Sequence, residues 1–242
     1  DSPWGPGRRG VHSECSTMSN KYLGDTFDVQ GGGSDLIFPH HENEIAQSEA
    51  YTGKKPMVKY WLHNGFITIN SEKMSKSLNN FFLVKDVLAH YSPDALRYFL
   101  ISNHYRSPLD FSDERLEEMT RSLERLGTSI YNVLELLAMP AGAKSETSAQ
   151  LLKDAQAVEE NFEEAMCDDF NTALASAAMF ELAKKVNIYK DAVLTKNVPV
   201  DSAVMSEVKR IFKTMTDILG ILEDRWTGRK NETSNKDFDD LM

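Results

Sequence analysis

The spacing of hydrophobic residues divides this chain into two regions. After residue 110, apolar side chains recur at intervals of three and four, which predicts amphipathic helices that pack on one another. We expect one helix to begin after Ser112 and others to cover 149–166, 172–189 and 202–222, with a break at 140–142. The short connections between them favour an antiparallel bundle.

Three of these helices carry an apolar stripe. The stripe of the first contains Leu116, Met119, Leu123, Leu126, Ile130, Val133 and Leu137. The stripe of the third contains Leu174, Ala178, Leu182 and Val186. The stripe of the last contains Val204, Val208, Ile211, Met215, Ile218 and Leu222. Side chains at these intervals share one helix face, so we expect all three stripes in the core of the bundle.

Before residue 110 the pattern consists of short β-branched or aromatic runs separated by glycines. The runs 27–29, 36–38, 60–62 and 66–69 resemble strands, with a glycine turn at 31–33. Pro39 suits the first position of a helix over 40–50. This mixture predicts α/β structure.

Composition narrows the possible classes of protein. The chain is 41% hydrophobic and 26% charged, as expected for a globular protein, and no apolar run approaches the ~20 residues of a membrane span. No secretion leader opens the chain, and Cys15 and Cys167 are its only cysteines. We therefore expect a reducing cytoplasm and no membrane partner. The net charge of −10 argues against broad coating of nucleic acid and confines any RNA contact to a few positions.

A lysine-rich segment, Glu72-Lys73-Met74-Ser75-Lys76-Ser77, follows the last predicted strand. Lys73 and Lys76 lie three residues apart, so both ammonium groups can reach the same phosphate. A solvated basic turn is the alternative that this pattern alone leaves open.

A second set of residues offers metal ligands. His40 and Glu44 stand four apart on the predicted helix and so share one face, and Cys15 supplies a thiol. A thiolate, an imidazole and a carboxylate form a reasonable zinc site. The spacing also permits a buried structural cysteine and a surface His/Glu pair. His12 would face this pocket if residues around it form an alternating strand.

These motifs together resemble one family. The segment 31–48, with Glu14-Cys15-Ser16 before it and 73–77 after it, is similar to the cysteinyl-tRNA synthetases of class I, and the similarity covers about 3–222. The resemblance implies the second half of a Rossmann-type catalytic domain, with signature loop and stem-contact region, over 1–110. It further implies an all-α, anticodon-binding-type bundle over 111–224 and a polar, poorly ordered tail over 225–242.

The resemblance also implies chemistry. A cysteine–tRNA ligase activates cysteine with ATP and Mg²⁺ to cysteinyl-adenylate and transfers it to tRNA(Cys), while zinc selects the thiolate. The implied zinc ligands are Cys15, His40 and Glu44. The implied ATP-binding residues are Gly31, Gly32, Gly33, Asp35 and Lys76. Lys73 and Lys76 would stabilise the pyrophosphate during catalysis, in a cytoplasmic monomer.

Several features depart from the family pattern. Val11 stands where tryptophan is usual, Gln30 where histidine is usual, and Asn79 where glycine is usual. The first half of the catalytic domain, with the fourth zinc ligand, is not in this sequence, so we expect the chain alone to be inactive. Alternatives are a cysteine–aminosugar ligase of thiol biosynthesis, which shares this catalytic core, and a tRNA-binding or zinc-structural module without catalysis.

Overall fold

The structure, a computed structural model, describes residues 3, 5–8, 10–69, 72–73 and 83–227, with the backbone alone at 72 and 73. The chain forms two compact units. The first contains the residues up to 67 together with 106–109, and the second contains 68–105 together with the residues from 110 onward. The predicted boundary at residue 110 stays a prediction.

Two helices and a parallel strand pair build the first unit. Its elements are α1 (Val11–Leu23), β1 (Phe27–Gly33), α2 (Glu42–Thr52) and β2 (Val58–Asn64). β1 and β2 pair in parallel, and Gln30 lies opposite Trp61. A 3₁₀ turn (Ser34–Leu36) and a π-type turn (Ile37–His41) lead from β1 into α2.

Three local predictions in this unit are wrong. Leu36 and Ile37 lie in helical turns, and Phe38, whose φ of −134° and ψ of 133° are extended, is 76% exposed. A three-residue apolar run before a proline has no period that separates strand from helix. The predicted glycine turn at 31–33 is instead the end of β1.

The strand expected around His12 is the other error, because this segment is helix α1. Val11, Cys15, Met18 and Tyr22 recur there at helical spacing, a signal that the serines between them obscure.

The second unit begins with short elements. They are β3 (Ile67–Ile69), which starts at the unit boundary, β4 (Glu72–Lys73), α3 (Val84–Val87), α4 (Pro93–Ile101) and β5 (Leu109–Asp110). The three strands form a sheet in the order β4-β3-β5, with Thr68 opposite Lys73 in an antiparallel pair. Ser92 caps α4 by accepting the backbone N–H of Ala95.

A helical bundle makes up most of the second unit. Its helices are α5 (Asp113–Ala138), α6 (Glu146–Cys167), α7 (Thr172–Lys196), α8 (Ser202–Leu219) and α9 (Glu223–Thr227). The side chains of Ser112, Ser145, Asn171 and Asp201 accept backbone N–H groups at the starts of α5 to α8. These caps satisfy donors that the helix itself cannot pair. The predicted helices and the serine cap at 112 are confirmed.

The apolar stripes mark the core of the bundle with two exceptions. Leu126 and Ile211 are fully buried, whereas Leu174 is 55% and Ile218 is 56% exposed. At the start of α7 the buried face runs through Ala175 instead of Leu174. The buried face of α8 runs from Met215 to Thr216 and Leu219, so position 218 turns away from it. This fold class, an α/β region followed by a helical bundle, agrees with the sequence-based prediction.

The end of the described chain is helical. Residues 225–227, which we expected in the disordered tail, belong to α9, and 228–242 lie outside the described residues. Trp226 donates its indole N–H to Thr216 Oγ1 at 2.9 Å and packs edge-on against Phe212, which explains why the helix extends this far. Among the described residues, no helix is both long and apolar enough to cross a bilayer.

Candidate metal centre

Three elements of the first unit carry the predicted metal ligands. Cys15 lies on α1, His40 lies in the π-type turn, and Glu44 lies in the first turn of α2. Each offers one ligand atom, and these atoms all lie within 4.8 Å of one another. The sequence predicts that His40 and Glu44 share one helix face. The packing of α1 against α2 brings Cys15 close to them.

The packing of α1 on α2 rests on polar contacts near the site. Ser16 Oγ donates to the backbone oxygen of Glu44 at 3.4 Å, and Gln47 Nε2 donates to Ser13 Oγ at 3.2 Å. Gly10 directly precedes α1. The ring of His12 occupies the space that a Cβ atom on residue 10 would need. These contacts hold Cys15 beside the start of α2.

The Glu44 carboxylate is the centre of the site. The residue is 0% exposed, and its Oε2 accepts a hydrogen bond from Gln30 Nε2 at 2.5 Å. Its Oε1 lies 2.6 Å from His40 Nε2, yet no described residue gives this oxygen a hydrogen bond of acceptable geometry. A buried carboxylate oxygen without a donor is costly unless a proton or a cation meets it.

The surroundings of Cys15 favour its thiol over its thiolate. Burial, followed by the negative charge of Glu44, raises the pKa of the Cys15 thiol above its ordinary value. A bound divalent cation would reverse this balance, since a coordinating thiol loses its proton.

The donor set fits zinc. Zinc accepts sulfur, imidazole nitrogen and carboxylate oxygen at about 2.0–2.3 Å in tetrahedral sites, and ligand atoms of one ion then lie roughly 3–4 Å apart. The three donor atoms here all lie within 4.8 Å of one another, so small side-chain shifts would let one ion contact all three. Mg²⁺ fits poorly, because it prefers an octahedral shell of oxygens.

The glycines of the predicted ATP site serve close packing within the unit. A Cβ atom at Gly32 would approach His41 Cε1 to 2.8 Å, and one at Gly33 would approach Asp35 Oδ1 to 2.5 Å. Gly31 has only ordinary contacts, with Leu62, and Asp35 is exposed. The role of these residues with ATP stays a prediction.

The two predicted catalytic lysines are described only in part. The backbone of Lys73 lies in β4. Lys76 and the other residues of the lysine-rich segment after Lys73, up to Ser77, lie outside the described residues. Their roles also stay predictions.

Sequence reasoning missed a histidine pair beside the site. His41 is buried, and its Nδ1 lies 2.8 Å from His63 Nε2 on β2, so one ring donates its N–H to the other. Trp61 packs on both rings. Burial, and then the neighbouring His63 and His40, lower the pKa of His41, while Glu44 opposes the shift. The alternation of Trp61 and His63 on one strand face was the available signal.

The ring of His12 also lies near the site. Its centroid is 6.3 Å from that of His40, in an edge-on arrangement. His12 therefore borders the predicted metal ligands, from helix α1 and not from the strand that we expected.

Comparison with known proteins identifies related sequences over most of this chain. The family model described as tRNA synthetases class I (C) catalytic domain matches residues 1–121, and that described as DALR domain matches 161–223. Cysteine–tRNA ligase of Desulforamulus reducens is 51% identical over 232 residues, which are 95% of this chain and 48% of the relative. That of Heliobacterium modesticaldum is 51% identical over 91% of this chain and 47% of its own length.

The chain spans about half the length of these curated relatives. Among solved structures, the ternary complex of Agrobacterium radiobacter K84 agnB2 LeuRS-tRNA-LeuAMS matches 83% of this chain and 27% of its own, with a TM-score of 0.66 and 19% identity. At this level of identity, the similarity shows the fold alone.

Proposed function

This chain belongs to the tRNA synthetases class I (C) family, and from that premise we propose that it is the zinc-binding part of a cysteine–tRNA ligase. The reaction joins cysteine and ATP, as its Mg²⁺ complex, to cysteinyl-adenylate and then transfers the cysteine to tRNA(Cys). One observation carries the proposal. The ligand atoms of Cys15, His40 and the buried Glu44 all lie within 4.8 Å of one another, and Glu44 Oε1, 2.6 Å from His40 Nε2, accepts no hydrogen bond of acceptable geometry from a described residue.

The proposed role of the centre is to select the substrate. Cysteine differs little in size from serine and valine, and an apolar cavity separates such neighbours poorly. When bound here, zinc would supply an open position that takes a thiolate in preference to a hydroxyl and does not take a methyl group. Cys15, His40 and Glu44 would hold the ion in this role.

The resemblance assigns the remaining chemistry to other residues of the chain. Gly31, Gly32, Gly33 and Asp35 would line the adenosine site, and Lys76 would meet the phosphates of ATP. Lys73 and Lys76 would stabilise charge on the departing pyrophosphate, which is positioning and electrostatic catalysis without a covalent intermediate.

The helical bundle would contact the tRNA, as in the cysteine–tRNA ligases that this chain resembles. The DALR-domain match over 161–223 supports this role over that of an aminosugar ligase. With a net charge of −10, the contact must be confined to a limited strip of the surface. We propose a monomer acting in the cytoplasm.

A chimera tests this function. In the Desulforamulus reducens cysteine–tRNA ligase, the matching segment is replaced by this chain, and cysteine-dependent ATP–pyrophosphate exchange and charging of tRNA(Cys) are measured. We expect both activities. Lys76→Ala should lower exchange by about 100-fold or more, in line with the loss of one group that stabilises transition-state charge. Cys15→Ser should weaken the discrimination between cysteine and serine.

Cys167→Ser is the matched control, because this thiol is exposed at the end of α6 and should not affect selection. A folded, zinc-loaded chimera that shows no cysteine-dependent exchange would overturn the proposed function. Unchanged cysteine-to-serine discrimination in Cys15→Ser would overturn the proposed role of the metal.

A further inference from the structure

The two oxygens of the Glu44 carboxylate have different surroundings. Oε2 accepts the amide N–H of Gln30 at 2.5 Å, whereas Oε1 faces His40 Nε2 and has no hydrogen bond of acceptable geometry from any residue that the structure describes. The protein therefore binds one oxygen and leaves the other at the point where the metal ligands meet. We propose that Gln30 is a positioning residue that orients Glu44 for the metal, an inference that rests on the proposed zinc site.

The backbone around Gln30 suits this role. Gln30 lies within β1, where it pairs with Trp61 of β2, and the parallel ladder continues through Gly31 to Gly33. A side chain on a paired strand is held more rigidly than one on a loop. Gln30 is fourteen residues from Glu44 in sequence, so the hydrogen bond joins β1 to the first turn of α2.

The charge of the donor matters as much as its position. Glu44 is fully buried, and a buried carboxylate needs donors to compensate for the lost water. A lysine or arginine would supply them but would place a positive charge beside a site for a cation. The Gln30 amide is neutral, so it fixes the carboxylate and leaves its negative charge to attract the metal.

The inference is tested by measuring the zinc affinity of the 242-residue chain in competition with a chromophoric chelator. Gln30→Met keeps the length of the side chain and removes the donor. We expect it to weaken zinc binding about 10- to 100-fold, as is typical when a partner of a metal ligand is lost. Gln150→Met is the matched control, because Gln150 Nε2 also donates to a carboxylate, Asp154 Oδ1 at 2.9 Å, but on the exposed surface of α6. It should bind zinc as the wild type does.

A double variant separates positioning from a general structural effect. If Gln30 acts through Glu44, then Gln30→Met should change zinc affinity little in a Glu44→Gln background. An equal loss in both backgrounds, or an unchanged affinity in Gln30→Met alone, would overturn the inference. If the wild type itself fails to bind zinc through Cys15, the proposed metal site fails, and the role of Gln30 fails with it; loss confined to the Gln30→Met comparison overturns the inference alone.

Discussion

In the first unit, the buried side chains among the described residues are mostly polar: Ser16, His41, Glu44 and Ser48, against the apolar Met57 and Val58. In the helical unit the proportion is reversed, and leucine, isoleucine, valine and phenylalanine fill the interior. The bundle is therefore stabilised by burial of apolar surface, which needs no ligand. The first unit instead buries the carboxylate of Glu44, whose burial costs less when a cation binds beside it.

The largest expected effect is in the bundle core. Leu126 on α5 is 0% exposed and belongs to the main apolar cluster. Leu126→Ala should lower the free energy of unfolding by about 2–5 kcal/mol, because it removes apolar contacts and leaves a cavity. Urea titration followed by circular dichroism measures this loss.

Leu194→Ala is the control for this substitution, since Leu194 on α7 is 57% exposed. It should change stability by less than about 0.5 kcal/mol. Equal losses in the two variants would contradict the view that core burial stabilises the bundle. Zinc affinity should be the same in both.

The next effect is specific to the first unit. Zinc should stabilise the wild type by about 2.7 kcal/mol at a concentration about 100 times the Kd, because the ion binds the folded site. Glu44→Gln should abolish most of this gain, as judged by thermal unfolding with and without zinc.

Glu42→Gln, a change at an exposed position two residues earlier on α2, should keep the zinc-dependent gain. If zinc stabilises Glu44→Gln as strongly as the wild type, the metal site does not depend on this carboxylate.

A smaller effect is expected at the start of α7. Asn171 Oδ1 accepts the backbone N–H of Leu174 at 3.1 Å, so Asn171→Ala should cost about 1 kcal/mol in urea unfolding. Asn171→Asp retains the acceptor and should cost much less. A similar loss in both variants would show that the hydrogen bond at this cap is not what stabilises the helix start.

The smallest effect depends on pH. Hydrogen bonds from Lys54 and then Asn20 lower the pKa of the exposed Asp25 below its ordinary 3.8. A carboxyl with a lowered folded-state pKa stabilises the fold above its unfolded pKa and loses this contribution as pH falls through the folded pKa. Asp25→Asn should therefore lower the urea midpoint slightly at neutral pH and have no effect in strong acid. In a Lys54→Met background the neutral-pH difference should shrink; a constant difference at all pH values would contradict this account.

The bundle was predictable because its stability and its sequence signal have the same origin. A helix that buries one face must repeat apolar residues at its own period, and Leu123, Ile130 and Val133 do so. The prediction was wrong at Ile218, because the buried face of α8 passes through Leu219 instead. Helix starts were equally readable at Ser112, because a cap is a local interaction.

Of the candidate site, the sequence predicts only the three proposed ligand residues. Cys15, His40 and Glu44 belong to recognisable motifs, but the hydrogen bonds around them join residues distant in sequence. Gln30 and Glu44, and likewise His41 and His63, meet only after the parallel strands pair and α2 packs beside them. The spacing of apolar residues along the chain carries no information about such long-range contacts.

X-ray absorption at the zinc edge of the zinc-loaded chain tests the metal centre most directly. The account predicts one sulfur neighbour at about 2.3 Å, with the remaining neighbours nitrogen or oxygen at about 2.0–2.2 Å. The sulfur shell should disappear in Cys15→Ser and remain in Cys167→Ser. A spectrum with nitrogen and oxygen neighbours alone, or a sulfur shell that survives in Cys15→Ser, would contradict the proposal that this unit holds zinc through Cys15, His40 and Glu44.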